Sequence, residues 1–413
     1  MMDKKGISQN IYDTLLFVLI LSIPLYRYGT YLRTLDVILT VLYTPFLVEY
    51  IYRLASTKLK PYALFFAFWI LYSFFSMIWA PKGSHVMVDF GYLIVHTIMF
   101  LEILVLSQKS NKPLATISNA WVCALFITSL VGLWEIFTDD HLANARESDV
   151  LDVYRRNEIG DTMLKQFAAV TFYNPNTFCW YICFAFPFVL YNLSNARGKV
   201  SLLVSVASLF LSVFIMLSNA SRGGIITLGI MLIIYVMNVV FVGKSTRSKS
   251  LLVSLFVLAI ILLANFSDIF DTILFRLEGK SAFEDNVRTL IWVESFQAFL
   301  DSKGLGQGIG SMIPVLQNSG VQGTFIFYSH NMILEFLLVY GIFVSAGFIY
   351  FFWTLLRRGL KIKNLNKKVV LLAGTIPFPF YSVINSENIN PTPVWCFFAS
   401  LCAFSMIKTE SRV

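Results

Sequence analysis

Four side chains in this sequence could handle a phosphate-bearing substrate: Arg222 in Ser221-Arg222-Gly223-Gly224, Arg276, Arg288, and His330 in Ser329-His330-Asn331. A guanidinium offers a planar fork of donors that matches phosphate oxygens, keeps its charge at any relevant pH, and is less tightly hydrated than an ammonium. An imidazole close to neutrality can orient a hydroxyl or take its proton. Each of these has a plainer reading. Arg276 alone is equally well a solvated anchor, and His330 could be a helix-start residue bonded to a loop. Arg222 is harder to dismiss, because it lies between a serine and two glycines, where backbones can approach closely. His85, His96 and His141 lack comparable company in the sequence and are read as structural.

These residues must be positioned by a scaffold built in lipid. Of 413 residues, 57% are hydrophobic and only 14% charged, and the mean hydropathy is +0.70, whereas a soluble domain is about a quarter charged. Apolar runs of roughly 18 residues or more, enough to cross a bilayer as a helix, recur between polar breaks. We place about 12 of them, at 12–28, 34–54, 61–80, 87–107, 115–137, 174–193, 199–218, 223–243, 250–267, 331–355, 368–385 and 391–408. The fold class is an all-α integral membrane protein forming a single polytopic domain over 1–413. The first apolar run follows Lys4 and Lys5 without a small-residue cleavage site, so it reads as a retained span.

With the N-terminus in the cytoplasm, most of the 32 Lys and Arg fall on inner segments, while the short outer loops hold only Arg27, Arg33, Lys82 and Arg222. The positive-inside bias therefore sets both termini in the cytoplasm. It also explains the net charge of +8 without nucleic acid, since the basic residues form no single face. Two long loops, 138–173 and 268–330, fall outside, and long outer loops are where function concentrates. The second, between spans 9 and 10, carries the catalytic candidates and should contain a helix over 286–300. The glycines that follow, Gly304, Gly306, Gly308 and Gly310, read as a flexible turn. All five cysteines, Cys123, Cys179, Cys183, Cys396 and Cys402, sit in apolar runs and read as packing residues rather than disulfides or metal ligands.

The order of these features resembles the O-antigen ligase and O-antigen polymerase superfamily of bacterial envelope glycosyltransferases. The likeness runs from Trp134-Glu135-Ile136-Phe137 and Asn174-Pro175-Asn176, through Ser221-Arg222-Gly223-Gly224, Arg288 with Trp292, and Gly306-Gln307-Gly308-Ile309-Gly310. It ends at His330-Asn331, Glu335-Phe336 and Tyr340-Gly341.

That resemblance implies glycosyl transfer on the periplasmic or outer face of the inner (cytoplasmic) membrane, from a polyprenyl (usually undecaprenyl) diphosphate-linked oligosaccharide to a hydroxyl of a glycan or lipid A core acceptor. It implies no metal, cofactor or nucleotide sugar. Other proteins of envelope polysaccharide assembly are candidate partners. By the same resemblance Arg222 and Arg288 would hold the donor diphosphate, Arg276 would assist, and His330 would orient or deprotonate the acceptor. Asn331 and Glu335 would support the site, Glu335 either partnering His330 or capping a polar face. Which of Arg276 and Arg288 turns inward stays open, with Glu278, Glu284 and Asp285 between them.

Within the family, a polymerase of O-antigen or capsular repeat units is the first reading, and a ligase moving finished polymer to lipid A core the alternative. A lipid-linked oligosaccharide flippase is the rival of another class. A flippase would line a midplane cavity with its polar groups, whereas an enzyme requires Arg222, Arg288 and His330 to converge at the outer face.

Overall fold

In the computed structural model the described residues are 4–25, 44, 60–142, 167–196, 198–239, 282–319 and 328–407. Every regular element among them is a helix. In chain order these are α1 (Lys4–Leu21), α2 (Lys60–Ser76), α3 (Val86–Lys109), α4 (Pro113–Thr138), α5 (Pro175–Asn195), α6 (Lys199–Ser218) and α7 (Arg222–Met237). There follow α8 (Ala282–Asp301), α9 (Met312–Gln317), α10 (Met332–Lys361), α11 (Leu365–Thr375), α12 (Phe378–Tyr381) and α13 (Thr392–Met406). Five of them, α3, α4, α5, α6 and α10, are long and apolar enough to cross a membrane, and α7 and α13 are shorter apolar helices. The chain is a multi-pass membrane protein. The expected spans at 34–54 and 250–267 lie outside the described residues. The helix expected over 286–300 is present as α8.

Local chemistry starts the helices where function needs fixed ends. Asn174 caps α5 by accepting from the Asn176 N–H at 2.8 Å, with Pro175 in the first turn, where its missing N–H costs nothing. Asn331 caps α10 by accepting from the N–H groups of Ile333 and Leu334 at 3.0 and 3.3 Å. Helix α5 is apolar all round and buried on nearly every side, as befits a central helix. It packs on α4, α6, α11 and α7, while α13 lies along α3, and α10 rests on α2, α8 and α11.

The segment expected to span at 368–385 does not do so as one helix. Pro377 has no N–H to give to the ladder, so α11 ends at Thr375 after 11 residues, with Ile376 as its cap. After the single turn of α12, residues 382–391 run without regular structure yet are largely buried, with Asn385 and Asn388 at 1% and 0% exposure. Irregular backbone is tolerated inside a membrane protein only where protein or a wet cavity satisfies its polar groups.

The glycine run is also different from expectation. It is not a flexible turn but a packed strip threaded against other backbones. All four glycines, Gly304, Gly306, Gly308 and Gly310, have positive φ, between 76° and 94°. A Cβ on Gly308 would stand 2.7 Å from the Ser76 carbonyl oxygen, and one on Gly310 2.6 Å from the His85 carbonyl carbon. The strip repairs a break in α10, whose backbone is non-helical at Gly341 (φ 66°, ψ −166°). The Leu338 and Val339 carbonyls freed there accept from the N–H groups of Gln307 and Gly308 at 2.7 and 3.0 Å, and Ile342 N–H donates to the Gly304 carbonyl at 2.9 Å. The sequence could not disclose this, because the partners lie more than one helix apart.

One end of the bundle gathers the starts of α3, α5, α7, α10 and α13 with the ends of α2, α4, α6 and α12. At the opposite end stand Lys109, Lys112, Lys199, Arg357, Arg358, Lys361, Lys363 and Lys368. Ties there include Arg358 to the Ser405 hydroxyl at 3.2 Å and Asn366 to Asn195 at 2.6 Å.

Candidate functional site

Backbone strain marks the first of these ends. Val170, Tyr173, Ala220 and His330 all sit in the left-handed region, at φ 52°, 61°, 49° and 50°, a conformation that costs a non-glycine residue about 1–3 kcal/mol and survives only where its surroundings enforce it. For His330 the enforcement is visible. Its N–H donates to the Ser386 carbonyl at 3.3 Å, and two residues on the Met332 N–H donates to the Ser382 carbonyl at 3.0 Å. The irregular segment after α12 therefore sets the pose of the histidine.

Arg288 reaches the same place from α8. Trp292, one helical turn later and so on the same face, donates its indole N–H to the Ser329 carbonyl at 2.8 Å, which pins α8 to the residue preceding His330. The half-buried Arg288 guanidinium then lies near enough to act on the imidazole. Burial first, and the Arg288 charge second, push the His330 pKa down to about 3. The ring is therefore neutral at physiological pH, and its Nδ1 is buried with no hydrogen-bond partner.

Arg222 is the first residue of α7, following Ser221, and is half-buried. Its neighbour Gly223 abuts the same turn that holds His330, since a Cβ there would lie 3.0 Å from Ile384 Cγ1 and 3.4 Å from the Phe380 carbonyl oxygen. The turn before it is fixed by Asn219, which accepts from the Ala168 N–H and donates to the Ala168 carbonyl, each at 2.8 Å. Arg288 and His330 are thus brought together, and the backbone carrying Arg222 meets them at 380–386. Arg276 lies outside the described residues.

The supporting residues do other work than expected. Asn331 is the cap of α10. Glu335, fully buried, partners neither His330 nor a solvent-facing surface. Its carboxylate accepts from the Asn388 N–H at 2.9 Å, the Asn388 side-chain amide at 2.8 Å and the Ile389 N–H at 3.1 Å. A buried carboxyl that takes three N–H donors holds 382–391 against α10.

The structure gives roles that the sequence did not disclose to three further groups. Glu135 is fully buried and accepts from the Ala169 and Val170 N–H groups at 2.8 Å each, so it fixes the strained segment ahead of α5. His141, read as lacking company, lies 3.7 Å from Glu135 and stacks on Phe167 with 4.7 Å between ring centroids. The third is a set of polar residues round a cavity of about 330 Å³, including His85, Asp89, His96, Glu335 and Glu387. A signal for the last existed in Ser386-Glu387-Asn388-Ile389-Asn390, a polar patch between two apolar runs.

Residues 207–361, from the middle of α6 to the end of α10, match the family model for O-antigen ligase. This matched stretch, less than half of the chain, carries its likeness to the O-antigen ligase and polymerase superfamily. The chain is also similar, at 24% identity over 380 residues, covering 88% of this chain and 75% of the relative, to the teichuronic acid biosynthesis protein TuaE of Bacillus subtilis (strain 168). The region shared with the superfamily contains Arg222, Arg288 and His330 but neither Asp89 nor the 382–391 segment, which the structure sets around them.

Proposed function

We propose that this protein is a polymerase of glycan repeat units, which transfers a glycan from polyprenyl diphosphate to the hydroxyl of an acceptor glycan at the outer face of the inner membrane. The observation that carries the reading is the tether of Arg288 to His330 through Trp292 and Ser329. It joins a permanent cation to a neutral imidazole whose Nδ1 has no partner, which suits a reaction that expels an anion and releases a hydroxyl proton. The basic residues at the opposite end of the bundle support an outward-facing site.

In this reading the acceptor oxygen attacks the anomeric carbon as the bond from that carbon to the diphosphate oxygen breaks, so the anomeric centre inverts. The electron pair leaves on the diphosphate, where Arg288 and Arg222, assisted by Arg276, stabilise the growing charge. His330 accepts the hydrogen bond of the attacking hydroxyl and takes its proton as the glycosidic bond forms, and that proton then passes to the departed diphosphate or to solvent. Bound diphosphate also offsets the Arg288 charge, the smaller of the two causes that keep the imidazole weakly basic. Its proton affinity rises as the donor enters. The chain supplies fixed charge and position for this chemistry, with no group beyond its own side chains.

The deciding experiment is a gel of surface and lipid-linked glycan from cells lacking the gene, complemented with the wild type, Arg288→Ala or His330→Ala. Anchored glycans stopped at one repeat and rescued only by the wild type are expected. Long polymer stranded on polyprenyl diphosphate would instead establish a ligase, and lipid-linked units trapped on the cytoplasmic face a flippase. A full-length anchored ladder in the deletion would overturn the reading.

A further inference from the structure

The cavity next to the backbone that holds His330 is lined by carboxylates, opposite in sign to Arg222 and Arg288. Its wall includes Asp89 and Glu387 with His85, Tyr92 and Tyr328, and no Lys or Arg is among the described residues that line it. Ser386 also lines it, and the Ser386 carbonyl is the group that receives the His330 N–H. The cavity therefore begins one residue from the catalytic candidate. Asp89 sits in the first turn of α3, where the helix dipole favours a carboxylate. The floor is rigid, since Glu335 is locked to Asn388 and Ile389 and His96 Nε2 lies 3.2 Å from the Thr392 hydroxyl.

We infer that this cavity is the acceptor subsite, and that it takes a neutral or amino sugar at the growing end of the glycan and rejects a uronic acid. The inference rests on the transferase reading above and adds the recognition of the second substrate to it. Sugar hydroxyls are donors that carboxylates accept strongly, and tyrosine faces offer the flat apolar surface that a pyranose ring covers. At about 330 Å³ the space is at the small end for a ligand pocket, fit for a terminal residue rather than a chain. Carboxylates on the wall repel both the diphosphate of the donor and any acidic sugar. Carboxylates in the cavity and the Arg288 guanidinium that acts on His330 thus sort acceptor from donor, which is specificity by repulsion as much as by attraction. Because Asp89 and Glu387 lie outside the region shared with the superfamily, the choice of acceptor is separated from the common chemistry.

The test uses the full-length protein in nanodiscs. The donor is the lipid-linked repeat unit extracted from the deletion strain. The acceptor probes are a neutral oligosaccharide prepared from the host's own envelope glycan and the same oligosaccharide with its terminal primary alcohol oxidised to a carboxylate. For Asp89→Asn and, independently, Glu387→Gln, the KM for the neutral acceptor is expected to rise about tenfold to a hundredfold, with kcat within about threefold and the donor KM unmoved. The oxidised probe is expected to be a poor acceptor for the wild type and a better one for the double variant. Unchanged acceptor KM in both folded variants, or a change in donor KM instead, overturns the subsite while leaving the transferase intact. Binding of the neutral oligosaccharide that depends on Asp89, followed through intrinsic fluorescence without any transfer, would support the subsite and overturn the transferase. Two variants on separate elements keep the test decisive if one of them fails to fold.

Discussion

The indole N–H of Trp292 donates to the carbonyl of Ser329 at 2.8 Å, and this single bond ties the helix that carries Arg288 to the backbone that carries His330. Besides it, α8 packs on α10 and α9 and receives the Gln307 side-chain amide at its Ala298 carbonyl, 2.6 Å away. Trp292→Phe keeps the ring and deletes the donor. We expect kcat to fall about tenfold or more with the thermal midpoint little changed, because a small misplacement of a charge at the reacting centre costs more than one neutral hydrogen bond. Single-turnover kinetics on purified protein would check it, and full activity in Trp292→Phe would show that packing alone sets the geometry.

Arg288→Lys should behave almost as Arg288→Ala. A lysine keeps the charge but loses the planar fork and its bidentate grip on diphosphate. The expected loss is about a hundredfold or more in transfer for either variant. Restoration of glycan chain length by the lysine variant would argue that only net charge matters there.

The pH profile follows from the direction of the His330 shift. Its pKa is lowered from the ordinary histidine value to about 3, by burial and then by Arg288, so lowering the pH through 6.5 does not protonate it in the folded, donor-free protein. Donor-free inactivation by acid is therefore expected well below the usual histidine range. Arg288→Gln removes the lowering charge, so the His330 pKa moves upward and protonation begins at higher pH. The measurement is the imidazole titration by NMR of histidine-labelled protein in the wild type and that variant. A ring titrating near 6.5 in the wild type would contradict the buried environment described here.

Gly306 and Gly341 meet backbone to backbone where the glycine strip crosses the break in α10, and both have positive φ, 78° and 66°. Alanine at 306 would put a Cβ 2.4 Å from the Gly341 nitrogen, and alanine at 341 one 2.3 Å from the Leu305 carbonyl carbon, and each strains the backbone as well. A loss of about 2–5 kcal/mol is expected for each. A thermal midpoint within a degree or two of wild type in detergent would show the crossing to be looser than its contacts imply.

How much of this was legible in the residues follows from range. The apolar runs announced a helical membrane protein, because lipid leaves backbone polar groups no other partner and the signal is local and repetitive. The placement of basic residues led to an expected orientation through the positive-inside bias. Arg222, Arg288 and His330 could be singled out by type and by their order along the chain, and the helix bearing Arg288 by its composition. What tertiary structure alone decided was which groups meet. The segment 382–391 looked like the end of one span and the start of another, yet it became the buried hub, because Pro377 stops α11 and Glu335, over fifty positions earlier, takes up the freed N–H groups. Glu335 was therefore a positioning residue rather than a partner of the histidine. The glycines looked flexible because local sequence shows only their freedom, while contacts with Ser76, His85 and Gly341 use that freedom for close packing. Asp89 and Glu387, nearly three hundred positions apart, share one cavity wall. Such pairings depend on how helices stack, and no window of sequence contains both partners.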